Sequence, residues 1–396
     1  MKKILPLSLI AFSSLLYADF STQEFLYKDP RVMGMGAANT AVGGYSTAVF
    51  YNPAGLINIK KEHGWEVELL GVSVSSSKDV KSFADDIKDA DTDQEVSDVV
   101  KKYSGDAFNI TASNYTSVSY HTEDDLALSI GVLISTDTNF IPHANSGANG
   151  LVETHSRGYG GVILGAAQTF RDVVPGKLTV GVGAKYITQK SYEAALDAGE
   201  ISAHSDDLMG YLQDTYEVDN SGFGIDLGLL YEPNISSDVD SWHPTFGLSV
   251  MNIGTLNFDD AYGAQPMTVN AGISVSPEVS FLNSFSMAVD YVDMFNAQQA
   301  RVVDYVGGTP KDLYTNADVD FDVMQHIRAG VKAGLFDNSW AMMTLSGGLY
   351  QGAYTAGLDL QLTVLKIQLA TYQEQLGAKT GQLEDRRYVL GLGIGW

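Results

Sequence analysis

Apolar and polar residues alternate at a period of two in one segment after another along this chain. Residues 126–134 place Leu, Leu, Ile, Val and Ile at every second position, and residues 223–231 place Phe, Ile, Leu, Leu and Tyr in the same way. Because the side chains of a β-strand point alternately to its two faces, each such segment predicts a strand with one apolar face. About fourteen segments follow this pattern, at residues 63–76, 107–121, 126–136, 159–170, 178–188, 222–231, 244–252, 266–275, 285–292, 325–335, 342–350, 354–362, 365–373 and 387–396.

The length of these segments favours a membrane barrel over a soluble β-sandwich, which would also alternate. Strands of roughly 9–13 residues are long enough to cross a bilayer at a tilt. The faces opposite the apolar rows carry Gly, Ser, Thr and Asp, which suits a narrow, partly filled lumen. Aromatic residues recur near strand ends, where they would lie at the membrane interfaces: Trp65, Tyr120, Phe170, Tyr231, Tyr291, Trp340, Tyr350, Tyr388 and Trp396. The fold class predicted is all-β, a transmembrane antiparallel β-barrel of about 14 strands over residues 61–396.

The N-terminus has the pattern of a secretory signal. Lys2 and Lys3 precede a short apolar core at residues 4–17, and Ala18 is a small residue at a cleavage position. Leu16, two positions before Ala18, is larger than the small residue that a cleavage site ideally has there. We therefore predict a signal peptide at residues 1–18 that is removed, and export to the outer membrane of a Gram-negative bacterium. After this signal no apolar run is long enough for a transmembrane helix.

Composition excludes several function classes. The chain has 24 Lys and Arg against 48 Asp and Glu, a net charge of −24, so nucleic-acid phosphates would be repelled. It has no Cys, which rules out disulfides, thiol chemistry and a lipoprotein anchor. No nucleophile-elbow, zinc-protease or P-loop motif is present. We expect no cofactor and no enzymatic activity, although catalytic partners facing each other across strands would escape a motif search.

Residues 31–56 break the alternating pattern. They are rich in Gly and Ala, and Arg31 is their single charged residue. Asn52 and Pro53 form a turn signal, since a proline biases the residue before it away from helix. A segment of small residues with so little charge must pack inside something, because it lacks the charge typical of a disordered segment. We predict an internal plug over residues 19–60.

The run from Gly34 to Leu56 resembles the N-terminal hatch of the FadL/OMPP1 superfamily of outer-membrane barrels. The resemblance rests on two glycines, spaced alanines and an Asn-Pro-Ala-Gly-Leu turn, in that order. It implies a gating hatch, with Gly34, Gly36, Asn52, Pro53 and Gly55 as its key residues. A Gly/Ala-rich loop of an unrelated secreted protein is the alternative.

The resemblance implies passive uptake of hydrophobic small molecules. A charge-rich helical insertion after the first strand is similar to the TraF-like branch from conjugal transfer operons, which implies instead a structural or assembly role without transport. The phrase at residues 251–255, leading to Phe258, also resembles a recurrent strand-and-loop motif of the superfamily. Expected partners are outer-membrane lipid, an apolar ligand and the barrel-assembly machinery, and we expect a monomer.

The connections between predicted strands alternate in length. Short links at 122–125, 171–177, 336–340 and 363–364 would be periplasmic turns, and long ones at 77–106, 137–156, 191–220 and 293–323 would be outer loops. Capping-box patterns begin at Ser82 and Thr92, and residues 205–216 also have an apolar helical face. Asp318, Asp320 and Asp322 could hold Ca²⁺, although a solvated acidic loop is the simpler interpretation.

The last strand generates a prediction about assembly. It ends the chain at Trp396, with Tyr388 on the same apolar face, and a terminal aromatic residue resembles the signal by which outer-membrane barrels are recognised for insertion. Deleting Trp396 should lower the amount of assembled barrel without lowering synthesis. Immunoblots of outer-membrane and total fractions measure both, and normal membrane levels of the truncated protein would contradict this role.

Overall fold

Fourteen antiparallel strands close into one barrel in the computed structural model, which describes residues 25–59, 64–144, 151–171, 173–234, 241–303 and 314–396. The barrel strands are β1 (Trp65–Ser77), β2 (Phe108–His121), β3 (Leu126–His143), β4 (Leu151–Phe170), β5 (Gly176–Asp197), β6 (Val218–Pro233), β7 (Thr245–Gly254), β8 (Thr268–Val275), β9 (Ser284–Tyr291), β12 (Ile327–Asp337), β13 (Ala341–Tyr350), β14 (Ala353–Leu362), β15 (Leu365–Gln375) and β16 (Glu384–Gly395). Each pairs with its neighbour in the chain, except that β9 pairs with β12, and β1 pairs with β16 to close the ring. The predicted fold class is confirmed.

The outer surface of the barrel is apolar, as the alternation predicts. On β3, for example, Leu128, Ile130, Val132 and Ile134 are 44–60% exposed, while the residues between them are buried. The same rows continue on the paired strands. An exposed apolar surface of this kind is stable only where lipid covers it.

The sequence analysis underestimated three strands. β3, β4 and β5 run well beyond the apolar rows, so that residues 137–143, 151–156 and 191–197 of the predicted loops are strand. The hydrogen-bond ladder continues up to the pair Leu151 with Asp197, and the outward residues Tyr192, Ala194 and Leu196 pack in one buried cluster with the helices. Alternation did not detect these extensions, because polar residues interrupt the outward apolar row before it resumes beneath the helices.

Four helices lie at the end of the barrel that carries the long loops: α2 (Val80–Lys88), α3 (Asp93–Lys102), α4 (Ala198–Ala203) and α5 (Leu208–Tyr216). The capping box predicted at Thr92 is confirmed, since its side chain accepts from Glu95 N and Glu95 accepts from Thr92 N. The one predicted at Ser82 is wrong, because α2 has already begun at Val80. The apolar faces of the four helices pack together on the extensions of β4 and β5.

None of the helices in the described part of the chain is long and apolar enough to cross a membrane.

Two further elements lie at the same end. A hairpin of β10 (Ala300–Val303) and β11 (Tyr314–Ala317) forms its own small sheet between β9 and β12, and we call it the strap. The connection between β7 and β8, residues 255–267, contains a 3-10 turn at Phe258–Asp260, and we call it the plug loop. Val323–His326 forms a short helical turn before β12.

The hatch, described from residue 25 to 59, lies inside the barrel. It consists of α1 (Pro30–Gly34) and two 3-10 turns, Ser46–Phe50 and Pro53–Asn58. α1 contacts β13 to β16, and the second 3-10 turn contacts β3 to β6, so the hatch crosses the lumen from wall to wall. The predicted signal peptide and the start of the hatch at residue 19 lie outside the described residues.

One aromatic residue departs from the predicted interfacial ring. Tyr350 is fully buried and points into the lumen, where its hydroxyl donates to Glu374 Oε1 at 3.1 Å and Arg328 lies over its ring. Alternation already places it there, since Tyr350 lies on the face of β13 opposite the outward Leu345 and Leu349 and, over that stretch, in unbroken register with β12.

The closed ladder generates a test of the membrane barrel. Every strand is hydrogen-bonded on both sides, so detergent alone should leave the barrel folded. Unheated samples should therefore migrate faster on SDS gels than boiled ones, and the protein should stay with outer membranes through salt and carbonate washes. Complete release by either wash, without detergent, would contradict insertion in the membrane.

Candidate functional site: the closed lumen

A band of glycines lines the wall where the hatch touches it. A Cβ built on Gly165 would lie 2.6 Å from Val49 Cγ1 of the hatch. A Cβ built on Gly330 would lie 2.7 Å from the carbonyl carbon of Met35. The same holds at other lumen-facing wall positions: Gly181, Gly228, Gly247, Gly348 and Gly357. No side chain fits at these positions, so the backbone of the hatch packs directly on the backbone of the barrel.

Buried wall side chains satisfy the backbone polar groups of the hatch. Asp290 on β9 accepts from the N–H groups of both Asn39 and Thr40 at 2.7 Å. Thr355 donates to Gly34 O at 2.9 Å, and Ser249 donates to Tyr51 O at 2.9 Å. An unpaired buried backbone group costs about 1–3 kcal/mol, so these bonds fix the position of the hatch.

Ion pairs fill much of the remaining space around the hatch. Arg31 pairs with Asp29 at 2.6 Å and with Glu68 of the wall at 3.4 Å. Burial raises the pKa of the Asp29 carboxyl, but the facing Arg31 guanidinium outweighs burial and holds this pKa below its ordinary value of 3.8. The pair therefore stabilises the hatch above that value, and the contribution is lost as the pH falls through the lowered pKa. Lys28 reaches Glu374 on β15 at 2.7 Å.

The predicted glycines of the hatch differ in what they contact. Gly36 has a φ of +67°, and its Cβ would collide with Ala329 O and lie 2.9 Å from Leu349 N. Gly34 approaches β14, where a Cβ would lie 2.7 Å from Gly357 Cα. Gly55 instead packs within the hatch against Gly43.

Asn52 and Pro53 begin the second 3-10 turn. The Asn52 Oδ1 accepts from Ala54 N at 3.0 Å, which caps the turn. The Asn52 Nδ2 donates to Thr40 O at 2.7 Å within the hatch and to Leu229 O of the wall at 3.2 Å. Asn52 thus links two parts of the hatch to each other and to β6.

The remaining predicted residues lie apart from the lumen. Tyr388 and Trp396 are about half exposed on the outer face of β16 and beyond its end. Asp318 accepts from Gln299 Nε2, and Asp322 accepts from Thr380 N, each at 2.8 Å. Within the described ranges, no three His, Asp or Glu residues are arranged to hold a metal ion.

The inner wall of β3 to β5 carries an apolar patch that the sequence analysis missed. Leu133, Tyr159, Ile163 and Ile187 are buried on lumen-facing positions and belong to one cluster with hatch residues, among them Phe50. The signal was available, because residues 131–134 and 161–165 are continuous apolar or glycine runs, without the alternation that a polar inner face would give. This patch is one side of an apolar chamber above the hatch.

The plug loop fills that chamber. Leu256 and Phe258 are 1% and 2% exposed and lie in the same buried cluster, with the Phe258 ring 6.1 Å from that of Tyr159. Phe258, Asp259 and Asp260 all have φ between 48° and 60°. Three successive left-handed residues without a glycine cost about 1–2 kcal/mol each, so the loop is held inward against strain.

Side chains from three elements hold the plug loop in place. Tyr159 on β4 donates to Gly263 O, and Gln189 on β5 donates to Tyr262 O, each at 2.5 Å. From the strap, Arg301 donates to Asp260 O at 2.9 Å. The loop is therefore tied to the wall below it and to the strap above it.

Arg301 also fixes the strap to the extended part of β5. Its guanidinium forms an ion pair with both carboxylate oxygens of Glu193, and each side chain is about one-tenth exposed. His155 on β4 contacts the same carboxylate at 3.1 Å. The Arg301 guanidinium thus joins the strap and the plug loop to the Glu193 carboxylate of β5.

Two small cavities remain around residues 25–26 in the described part of the lumen. Their volumes are about 30 and 40 Å³. A cavity needs roughly 10–15 Å³ to hold one water, whereas one of about 150 Å³ binds benzene. Each of these two cavities has room for water but not for a hydrophobic ligand.

Solved structures share this fold. The toluene transporter TbuX of Ralstonia pickettii matches with a TM-score of 0.52 and 13% identity over 94% of this chain and 98% of that one. The toluene transporter TodX of Pseudomonas putida matches with a TM-score of 0.51 and 11% identity over 96% and 98%. A TodX deletion mutant, described as a monoaromatic hydrocarbon channel, gives 0.54 and 12% over 94% and 98%. Identities this low show a common fold alone.

Neither a family model nor a curated protein matches this chain.

The contacts of Asp290 generate a prediction about the hatch. Asp290→Ala would leave the N–H groups of Asn39 and Thr40 unpaired, at about 1–3 kcal/mol each. If opening and closing are fast relative to cleavage, limited proteolysis of the assembled barrel should cut residues 25–59 at least about tenfold faster. Asp290→Asn keeps an acceptor and should behave nearly as wild type. Equal cleavage of the alanine variant and wild type would show that these bonds do not hold the hatch.

Proposed function

We propose that this protein is a FadL-like outer-membrane channel for the passive uptake of hydrophobic small molecules. The observation that carries the proposal is the apolar chamber on the inner wall of β3 to β5. Ligand pockets are lined mainly by apolar and aromatic side chains, and the buried lumen-facing residues Leu133, Ile163 and Ile187 form such a lining.

The position of the chamber supports a route for a ligand. The chamber lies between the plug loop, which belongs to the end with the long loops, and the hatch, which crosses the lumen. An apolar molecule that enters past the plug loop would leave water for the chamber, and movement of the hatch would then release it inward. The fold shared with toluene transporters agrees with this order of events, and the resemblance of the hatch residues to the FadL/OMPP1 superfamily supports it independently.

A structural or assembly role, of the TraF-like kind, is the alternative. The filled lumen favours it, because the cavities of about 30 and 40 Å³ are too small for a hydrophobic ligand. In that case the chamber would serve only to pack the plug loop. The two roles differ in whether the hatch ever moves.

Uptake of radiolabelled toluene into intact cells, measured as the excess over cells that lack the barrel, tests the proposal, since toluene enters a plain lipid bilayer without any channel. Asn52→Ala would release the hatch from Leu229 O, and Gly36→Val would displace it from Ala329 and Leu349. Both variants should change the rate of uptake several-fold at equal barrel abundance. Asn58→Ala is the matched control, because it removes an exposed hydrogen bond to Val42 O within the hatch and touches no wall strand.

Absence of uptake for every apolar compound tried, with and without the hatch substitutions, would contradict transport and favour the structural role. A change in Asn58→Ala equal to that in Asn52→Ala would show that the hatch acts through its general stability, and not through its contacts with the wall.

A further inference from the structure

We propose that Phe258 occupies the binding site of the channel's own ligand, and that Arg301 is the latch that keeps it there. This inference rests on the proposed function and deepens it, because it names the site and the ligand class. The site is the apolar chamber, and the ligand is an uncharged molecule with about the volume of one aromatic ring and a short alkyl chain.

The size of the ligand follows from the side chains that fill the chamber. Phe258 contributes one ring and Leu256 one branched alkyl group, and both are almost fully buried. Gly224 on β6 makes room for Leu256, since a Cβ there would lie 3.2 Å from Leu256 Cγ. When these two side chains leave, the space they vacate is bordered by the apolar wall residues of the same cluster, so it disfavours charged molecules.

The left-handed backbone shows that the plug loop is held in the chamber at a cost. Residues 258–260 have positive φ without a glycine, a conformation that an unconstrained loop does not retain. Such strain favours departure of the loop as soon as its restraints are released. A ligand that takes the place of Phe258 restores the apolar contacts that departure of the ring removes.

Arg301 is placed to control that departure. Its guanidinium joins Glu193 on β5 to Asp260 O, the carbonyl at the end of the strained turn. Asn316, its partner across the strap, donates to the same carbonyl at 3.3 Å. Charge-assisted hydrogen bonds of a buried guanidinium are among the strongest side-chain contacts, so loss of Arg301 frees the loop more than any other single change in the strap.

Equilibrium binding of radiolabelled toluene to the full-length barrel in detergent tests the proposal. A site that is open only a fraction of the time binds with an apparent Kd weakened by that fraction. Arg301→Gln should therefore lower the apparent Kd about tenfold. Phe258→Ala should lower it as well, and adding Arg301→Gln to Phe258→Ala should give no further gain, because the site is then already vacant.

Lys190→Gln is the matched control. It breaks exposed ion pairs to Glu217 and Asp219 on the same side of the barrel and touches neither the plug loop nor the strap, so binding should equal that of wild type. If Arg301→Gln leaves the Kd unchanged, or if its effect persists undiminished in the Phe258→Ala background, the latch is refuted.

A disulfide gives an independent test, since the chain has no cysteine of its own. A Cβ on Gly263 would lie 3.4 Å from Arg157 Cβ, close to the separation of a disulfide. Because a side chain there is strained by a φ of +90° and its Cβ would lie 2.6 Å from Tyr159 Oη, the reduced form of the same variant is the reference. The oxidised Gly263→Cys/Arg157→Cys variant should not bind toluene, and reduction should restore binding. Binding by the oxidised form would refute a moving plug loop.

The outcomes separate this inference from the proposed function. If wild type takes up toluene while neither the latch variants nor the disulfide alters binding, transport stands and the ligand reaches another site. If no variant binds toluene and wild type takes up no apolar compound, the proposed function is refuted, and the inference that rests on it is refuted as well.

Discussion

Direct backbone contact between the hatch and the barrel wall is the constraint on which the rest of this structure depends. It requires glycine on the lumen face of strand after strand, and it requires wall side chains such as Asp290 and Thr355 to pair with the hatch backbone. A hatch held in this way closes the lumen without a large core of its own. The apolar chamber can exist only because the hatch provides its floor.

Much of the barrel could be predicted from the sequence, because alternation reports which strand residues face lipid. Leu128 and Ile130 follow that rule, and the number of barrel strands was correct. The extensions of β3 to β5 escaped this rule, since polar residues such as Thr138 and Lys190 interrupt the outward apolar row before it resumes beneath the helices. The inward position of Tyr350 could have been predicted from the same rule, because it lies on the face of β13 opposite Leu345 and Leu349.

The candidate site was predictable only in part. The hatch residues stood out by their composition. Leu133 and Ile163 were missed, although each lies in a continuous apolar run, which indicates a strand that is apolar on both faces. Phe258 was noticed only as the end of a phrase that resembles a superfamily motif, and Arg301 could not have been found, because the plug loop and the strap have no periodicity and come together only when the barrel closes. The site therefore depends on tertiary contacts between loops that are far apart in sequence.

The central claim is that an apolar ligand replaces the plug loop inside the lumen. The most direct measurement is a crystal structure of the protein soaked with bromobenzene, with the anomalous signal of bromine locating the ring. The account predicts a bromine peak in the chamber beside Tyr159, Ile163 and Ile187, with Phe258 displaced toward the outer end. Bromine confined to the lipid-facing surface, with Phe258 still in the chamber at saturating ligand, would contradict it.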